Sequence, residues 1–278
     1  MASMRPRSLP PGWYPASETE TREEIEAFLK QAREPSTRAP FIAGVAPHAG
    51  WYYSGRLACS VFKQLVQPCD TLVVVGGHMH PRSPVIAAFE QSYYTPLGPI
   101  EADLTLLNEI RASIQVEEDI EPDNTVEIQL PFAKYFFPKS KALHFRAPPS
   151  EKALQLGTAI AQAAKKVNKK VVVLGSTDLT HYGPNYGWAP KGTGKDAVKW
   201  VKEHNDKLFI DALLAFNPRD AIELANKQKS ACSAGAAITA LSFAQNAGAK
   251  AGLLLDYYTS YDVQANSSFV GYAGILFY

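Results

Sequence analysis

Cysteine is scarce: three residues in a chain of 278, at positions 59, 69 and 232. An odd, sparse set makes no disulfide framework and fits a reducing compartment, so a cytoplasmic protein is expected. An excess of charge is also missing. Lys and Arg number 28 against 27 Asp and Glu, a net charge of +1. Bulk electrostatics therefore gives no reason to expect nucleic acid or a membrane surface as a partner. The densest basic runs, Lys165-Lys166 and Lys169-Lys170, read as the end of a helix. No stretch reaches about 18 consecutive apolar residues, so no membrane-spanning helix is expected. The N-terminal MASMRPRSLPPGWYP has two arginines but no apolar run, unlike a secretory signal. Neither G-x-G-x-x-G nor a P-loop occurs, so no nucleotide cofactor is implied. Gly175-Ser176-Thr177 does not complete the G-x-S-x-G nucleophile elbow. Internal repeats and low-complexity segments are absent.

What is present is the composition of a globular α/β chain. Hydrophobic residues are 46% and charged residues 20%, an ordinary balance. A chain of this length buries about three quarters of its unfolded surface, enough for a large core. Ile42–Ala46, Thr71–Val75 and Val171–Leu174 are short apolar runs, the pattern of strands buried on both faces of a parallel sheet. Val85–Phe89, Ala142–Phe145, Leu253–Tyr258 and Phe269–Phe277 read as further strands. Helices are expected over 17–33, 56–66, 101–113, 124–137, 151–167, 196–215, 218–228 and 233–247. The Gly/Pro/Lys-rich stretch 187–195 reads as a mobile loop. No long linker divides the chain, so one α/β domain over 1–278 is expected, a mostly parallel central sheet with helices on both faces.

The chain has six histidines, and several stand where apolar strands end. His48 follows Ile42–Ala46; His78 and His80 follow Thr71–Val75 and two glycines; Asp178 and His181 follow Val171–Leu174. Ligands of open α/β sheets bind outside the carboxyl ends of the strands, so these groups are expected to converge in one crevice. Imidazole nitrogen and carboxylate oxygen both bind divalent ions, which makes a metal site the expected use. Each group alone has an ordinary reading as a turn, cap or core residue; the joint placement carries the argument. Cys232 precedes a helix of small residues, where a thiolate is favoured. Cys59 falls on an apolar helical face and reads as core. Glu127, between apolar neighbours, is a candidate for pointing into the site or for lying on a helix surface. Trp51, Tyr52, Tyr53 and Trp188 are candidate aromatic walls.

At these residues the sequence resembles the Memo-like proteins, also called AmmeMemoRadiSam system protein B. The matching segments run in order along nearly the whole chain: Gly12-x-Tyr14-Pro15 with its Trp13, Ala46-Pro47-His48-Ala49-Gly50-Trp51-x-Tyr53-Ser54-Gly55, Glu127-x-Gln129-Leu130-Pro131-Phe132, Ser176-x-Asp178-x-x-His181-Tyr182-Gly183, Cys232, and Val270-Gly271-Tyr272-Ala273. The resemblance implies the fold of the related class III extradiol dioxygenases, the LigB-like fold. Their site holds non-haem iron through two histidines and a carboxylate, beside an acid/base histidine. In Memo-like proteins cysteine takes the carboxylate position. The resemblance thus implies His48 and Cys232 as metal ligands and His181 as the acid/base residue, with Asp178 beside it. The family usually reads Gly-Pro-Ser/Asn-His after its second strand. Counting forward from Gly76 puts Met79 at the ligand position, whereas counting back from Thr95-Pro96-Leu97 puts His78 there. One residue fewer at the glycines reconciles the counts in favour of His78, with His80 as the alternative. Asn124 stands where the family commonly has histidine, and Ser233-Ala234-Gly235 where it commonly has Gly and then Pro.

Three function classes follow. The first is a mononuclear metal protein, holding one divalent or redox ion (iron, copper or zinc), with redox or non-haem dioxygenase-like chemistry on a small molecule. The second is a metal-dependent hydrolase. His78-x-His80 is similar to the H-x-H of TIM-barrel amidohydrolases, but the strand leading to His48 comes earlier and too few βα units are present for eight. The third is a non-catalytic protein that binds a small molecule or peptide in a vestigial pocket.

Overall fold

The computed structural model describes residues 3–278. Its centre follows from the apolar runs. Thr71–Gly76 is buried along its whole length, because successive side chains point to opposite faces and each face has a core to meet. Val73 and Val75 join one core; Leu72 and Val74 join the other. The first core is closed by the helices Leu104–Ser113, Glu151–Lys166, Asp206–Leu214 and Ala234–Asn246. The second is closed by Glu18–Leu29, Trp51–Gln64 and Leu130–Phe136. The result is one α/β domain with helices on both faces.

Across the sheet the central order is Ala43–Ala46, Val171–Ser176, Thr71–Gly76, Lys141–Arg146, all parallel. Antiparallel strands flank this centre. Phe269–Phe277 pairs with Ala43–Ala46 and also with Gly252–Thr259, while Ile86–Ala87 pairs with Lys141–Arg146. The sheet as a whole is therefore mixed, with the expected parallel strands at its heart. It is open at both ends and does not close into a barrel, so the arrangement behind the amidohydrolase comparison is not the one observed. A separate three-stranded sheet joins Met4–Arg5, Ser92–Tyr93 and Ile100–Glu101. Among the described residues no helix is long and apolar enough to cross a membrane.

Several elements differ from expectation, each for a local reason. The second helix starts at Trp51 rather than 56, because the aromatic run Trp51-Tyr52-Tyr53 enters it. The helix expected over 124–137 is two, Asn124–Glu127 and Leu130–Phe136. Pro131 has no N–H to give a continuous helix and instead sits in the first turn of the second one. The freed Gln129 side chain donates to Pro47 O at 2.8 Å and Ser176 Oγ at 2.9 Å. Val85–Phe89 shortens to Ile86–Ala87. The 196–215 helix contains a π-helical turn, Val201–Asn205. The 187–195 loop is pinned on Tyr182, whose hydroxyl accepts from Lys191 N and donates to Gly192 O, both at 2.9 Å.

Candidate metal centre

Parallel strands in register end at the same level, and this places the polar residues that follow them. Ala46 pairs with Ser176, and Val75 with Gly175. His48, His78 and Asp178 therefore leave three adjacent strand ends toward one crevice. Gly77 makes the turn to His78: its φ of +108° is one that side-chain-bearing residues rarely adopt. Its N–H is held by Thr125 Oγ1 at 2.7 Å. Cys232 comes from the other direction, just before the helix Ala234–Asn246. That helix lies hard against the strand end, where a Cβ on Gly175 would stand 2.6 Å from Ala236 O. Ser233 N donates to Thr177 Oγ1 at 3.0 Å, and Cys232 N to Asp178 O at 3.2 Å. These bonds bring the thiol over the strand end.

The crevice gathers two overlapping groups. His48 Nε2 lies 3.2 Å from His78 Nε2 and 3.2 Å from Cys232 Sγ. In this group, as in that of Asp178, His181 and Cys232, the candidate ligand atoms all lie within 4.8 Å of one another. Asp178 Oδ1 accepts from His48 N at 2.7 Å, while its Oδ2 is 3.9 Å from His48 Nε2 and 3.8 Å from His181 Nε2. His181 Nε2 is buried and has no hydrogen-bond partner among the described residues. Ser176 Oγ, which already accepts from Gln129, lies 3.4 Å from His48 Nδ1. A proton on Nδ1 pointing there leaves the Nε2 lone pair facing Cys232 and His78.

The His48–His78 separation suits a small ion, and the His48–Cys232 separation is about 0.4 Å shorter than a tetrahedral site would set. Nitrogen ligands at about 2.05 Å and a thiolate at about 2.3 Å, set tetrahedrally, put N···N at about 3.3 Å and N···S at about 3.6 Å. The electrostatics suit it too. Burial opposes ionisation of Cys232, but His48 and His181 outweigh it and hold the thiol well below its usual range. Burial disfavours a protonated His48, yet Cys232 and Asp178 outweigh it and push the imidazole up to about 9. Burial likewise opposes the proton on His181, and Asp178 and Cys232 push that group up to about 10. A thiolate among imidazoles that keep their protons is a compact charge cluster that a cation can take over.

The cluster opens into a cavity of about 430 Å³. Its walls include Trp13, Tyr53, Asn124, Tyr186 and Tyr272. The Tyr186 ring lies 4.9 Å from that of His181. Behind the Asp178–His181 segment, buried Asp206 accepts from Thr180 N at 3.0 Å and from the Tyr257 hydroxyl at 2.7 Å. Burial pushes the Asp206 carboxyl up to about 7 despite those bonds.

The structure sorts the remaining candidates. His78, not His80, is brought to His48 and Cys232; His80 lies in an exposed turn, its Nδ1 accepting from Arg82 N at 3.2 Å. Glu127 does not reach the cluster. Its buried carboxylate accepts from Ser8 N at 2.8 Å, Leu9 N at 3.0 Å and Tyr14 OH at 2.9 Å, and from Ser8 Oγ. It clamps the N-terminal segment that carries Trp13. Of the candidate aromatics, Tyr53 lines the cavity. Trp51 is buried against Phe132 at 4.2 Å, Tyr52 is surface-exposed, and Trp188 packs on Tyr182 at 5.6 Å. Ser176, Tyr186 and Tyr272 were not anticipated as site residues. Ser176 stands two residues before Asp178 and Tyr272 lies within Val270-Gly271-Tyr272-Ala273, whereas Tyr186 carries no such signal.

Comparison with known proteins gives the chain a family. A family model described as Memo-like protein matches residues 5–276. A MEMO1 family protein of Thermococcus onnurineus is 32% identical over 282 residues, covering 95% of this chain and 96% of its own. One from Archaeoglobus fulgidus is 30% identical over 279 residues, covering 99% of each. Among solved structures, an uncharacterised protein of Escherichia coli K12 aligns with a TM-score of 0.51 at 12% identity, covering 84% of this chain and 98% of its own. That likeness speaks to the fold alone. The chain belongs to the Memo-like family.

Proposed function

We propose that this chain is a mononuclear metal-binding protein with redox or non-haem dioxygenase-like chemistry on a small organic molecule. The observation that carries the proposal is the convergence of His48 Nε2, His78 Nε2 and Cys232 Sγ within 4.8 Å of one another, beside a cavity that His48 and His78 line. Three donors leave a position for a ligand, as sites that do chemistry require and closed structural sites do not. The bound ion would supply Lewis acidity or an electron-transfer step at that position. One thiolate among imidazoles favours copper(I) or zinc over iron(II). His181 faces Asp178 Oδ2 at 3.8 Å and would serve beside the open position as the acid/base group. Asp178 orients the site by holding His48 N and facing His181. Tyr53, Tyr186 and Tyr272 offer faces and hydroxyls to an organic ligand. Neither nucleic acid nor a membrane belongs to this reading, and a cytoplasmic setting is consistent with a free thiol as ligand.

Elemental analysis of purified protein, beside His48→Ala and Cys232→Ser, tests it. Near-stoichiometric metal in the wild type, lost in both variants, is the expected result. Wild-type metal content in either variant refutes the site. The same donors suit a zinc-bound water, so zinc with esterase or amidase activity would favour the hydrolytic reading. Ligand binding that a chelator leaves unchanged would favour the non-catalytic one.

A further inference from the structure

Of the three candidate donors, His48 is buried, Cys232 is partly buried and His78 is exposed. Packing therefore does little to hold the His78 ring, and its aim comes from the backbone that leads to it. That backbone is tied on both sides of one peptide. Gly76 O accepts from Ala147 N, just beyond the neighbouring strand, at 3.1 Å, and Gly77 N donates to Thr125 Oγ1 at 2.7 Å. The peptide group is planar, so the two bonds together fix its orientation. From there the φ of +108° at Gly77 carries the chain to where His78 Nε2 meets His48 Nε2 at 3.2 Å.

Thr125 is fully buried at the strand end. Its hydroxyl stands so close that a Cβ on Gly76 would fall onto Thr125 Oγ1, and a Cβ on Gly77 would stand 2.8 Å from Arg146 Cβ. The hydroxyl proton is committed: Thr125 Oγ1 donates to Asp123 Oδ1, which also accepts from Thr125 N at 2.8 Å as the cap of Asn124–Glu127. A hydroxyl has one proton and two lone pairs, so this leaves a lone pair for the Gly77 N–H. Asp123 is fixed in turn. Its Oδ2 lies 3.3 Å from Arg146 Nε, and Arg146 Nη1 lies 3.0 Å from Asp119 Oδ1. Arg146 stands opposite Gly76 across the parallel pair. One hydroxyl thus ties the turn before His78 to a buried carboxylate and, through it, to the strand alongside.

We propose that Thr125 is a positioning residue for His78: backed by Asp123, its hydroxyl fixes the Gly76–Gly77 peptide and so aims the exposed imidazole at His48 and Cys232. Its effect on metal affinity rests on the metal-centre reading; its effect on the ring does not. The test compares Thr125→Val, which removes the hydroxyl and keeps the branched shape, with Thr125→Ser, which keeps the hydroxyl. NMR of metal-free protein reads the nitrogen–proton ring correlations of His78, assigned by their loss in His78→Ala. They differ from those of exposed His80 in the wild type and in Thr125→Ser, and move toward them in Thr125→Val. Zinc affinity, read by competition with a chromophoric chelator, falls about tenfold in Thr125→Val and stays within about twofold in Thr125→Ser. In the His78→Ala background the Thr125→Val change alters zinc affinity by less than about twofold, because the two residues act as one unit. An equal fall in both backgrounds means a merely structural role and overturns the proposal. Wild-type ring signals in Thr125→Val, or a Thr125→Ser that behaves like Thr125→Val, overturn it too. A wild type that binds no zinc or copper(I) sinks the metal-centre reading, and the ring signals then decide this proposal alone. If Thr125→Val does not fold, exchange of the Gly77 amide in the unaltered protein decides instead: protection is expected, and exchange at the rate of an exposed glycine overturns the proposal.

Discussion

Replacing Glu127 with glutamine tests whether that carboxylate is a clamp for the N-terminal segment or a group that serves the metal. In the folded protein it collects two backbone N–H groups, the Tyr14 hydroxyl and the Ser8 hydroxyl. Glutamine keeps one oxygen but turns the other position into a donor, which faces groups that are themselves donors. Two charge-assisted hydrogen bonds are lost, each worth about 1.5 kcal/mol net, for about 3 kcal/mol in all. At about 2.1 cal/mol/K of unfolding entropy per residue, 278 residues give about 0.6 kcal/mol/K. The melting temperature of metal-free protein therefore falls by about 5 °C. Differential scanning calorimetry reads the shift, and elemental analysis reads the metal. A variant that melts like the wild type but loses its metal would refute the assignment. So would one that loses neither.

Other outcomes follow from the same geometry. His78→Ala lowers zinc or copper(I) affinity by more than about tenfold in a competition assay with a chromophoric chelator, while His80→Ala leaves it within about twofold. Ser176→Ala, which removes the oxygen facing His48 Nδ1, lowers the same affinity about tenfold; an unchanged affinity would mean that Ser176 does not orient the ring. Burial opposes ionisation of Asp119, but His144, Arg146 and Arg5 outweigh it and hold the carboxyl at about 2. Since that value lies below the unfolded value of about 3.9, Asp119 adds stability above about pH 4 and loses it as pH falls toward 2. The loss is about 1–2 kcal/mol after screening, read by urea unfolding, and Asp119→Asn should show no corresponding slope.

The sequence by itself determined the sheet centre and the general place of the site. Apolar runs such as Thr71–Val75 have few solutions other than a strand buried on both faces, and whatever follows such a strand in an open α/β sheet faces the ligand crevice. That is why His48, the His78/His80 pair, Asp178 and His181 read as candidate crevice residues before any coordinates. The flanking antiparallel strands were less so. Their two-residue pairings, such as Ile86–Ala87, carry no periodicity that a pattern can reveal. Local chemistry could not separate His78 from His80, because both follow the same glycines; the turn at Gly77 and the position of the neighbouring strand end decide which one meets Cys232. Nor could it place Glu127, whose partners Ser8, Leu9 and Tyr14 lie more than a hundred residues away in sequence. Hydrophobic pattern is a short-range property of the chain and fixes elements and faces. The partner of a polar side chain is a long-range property, and only the packed tertiary structure decided it.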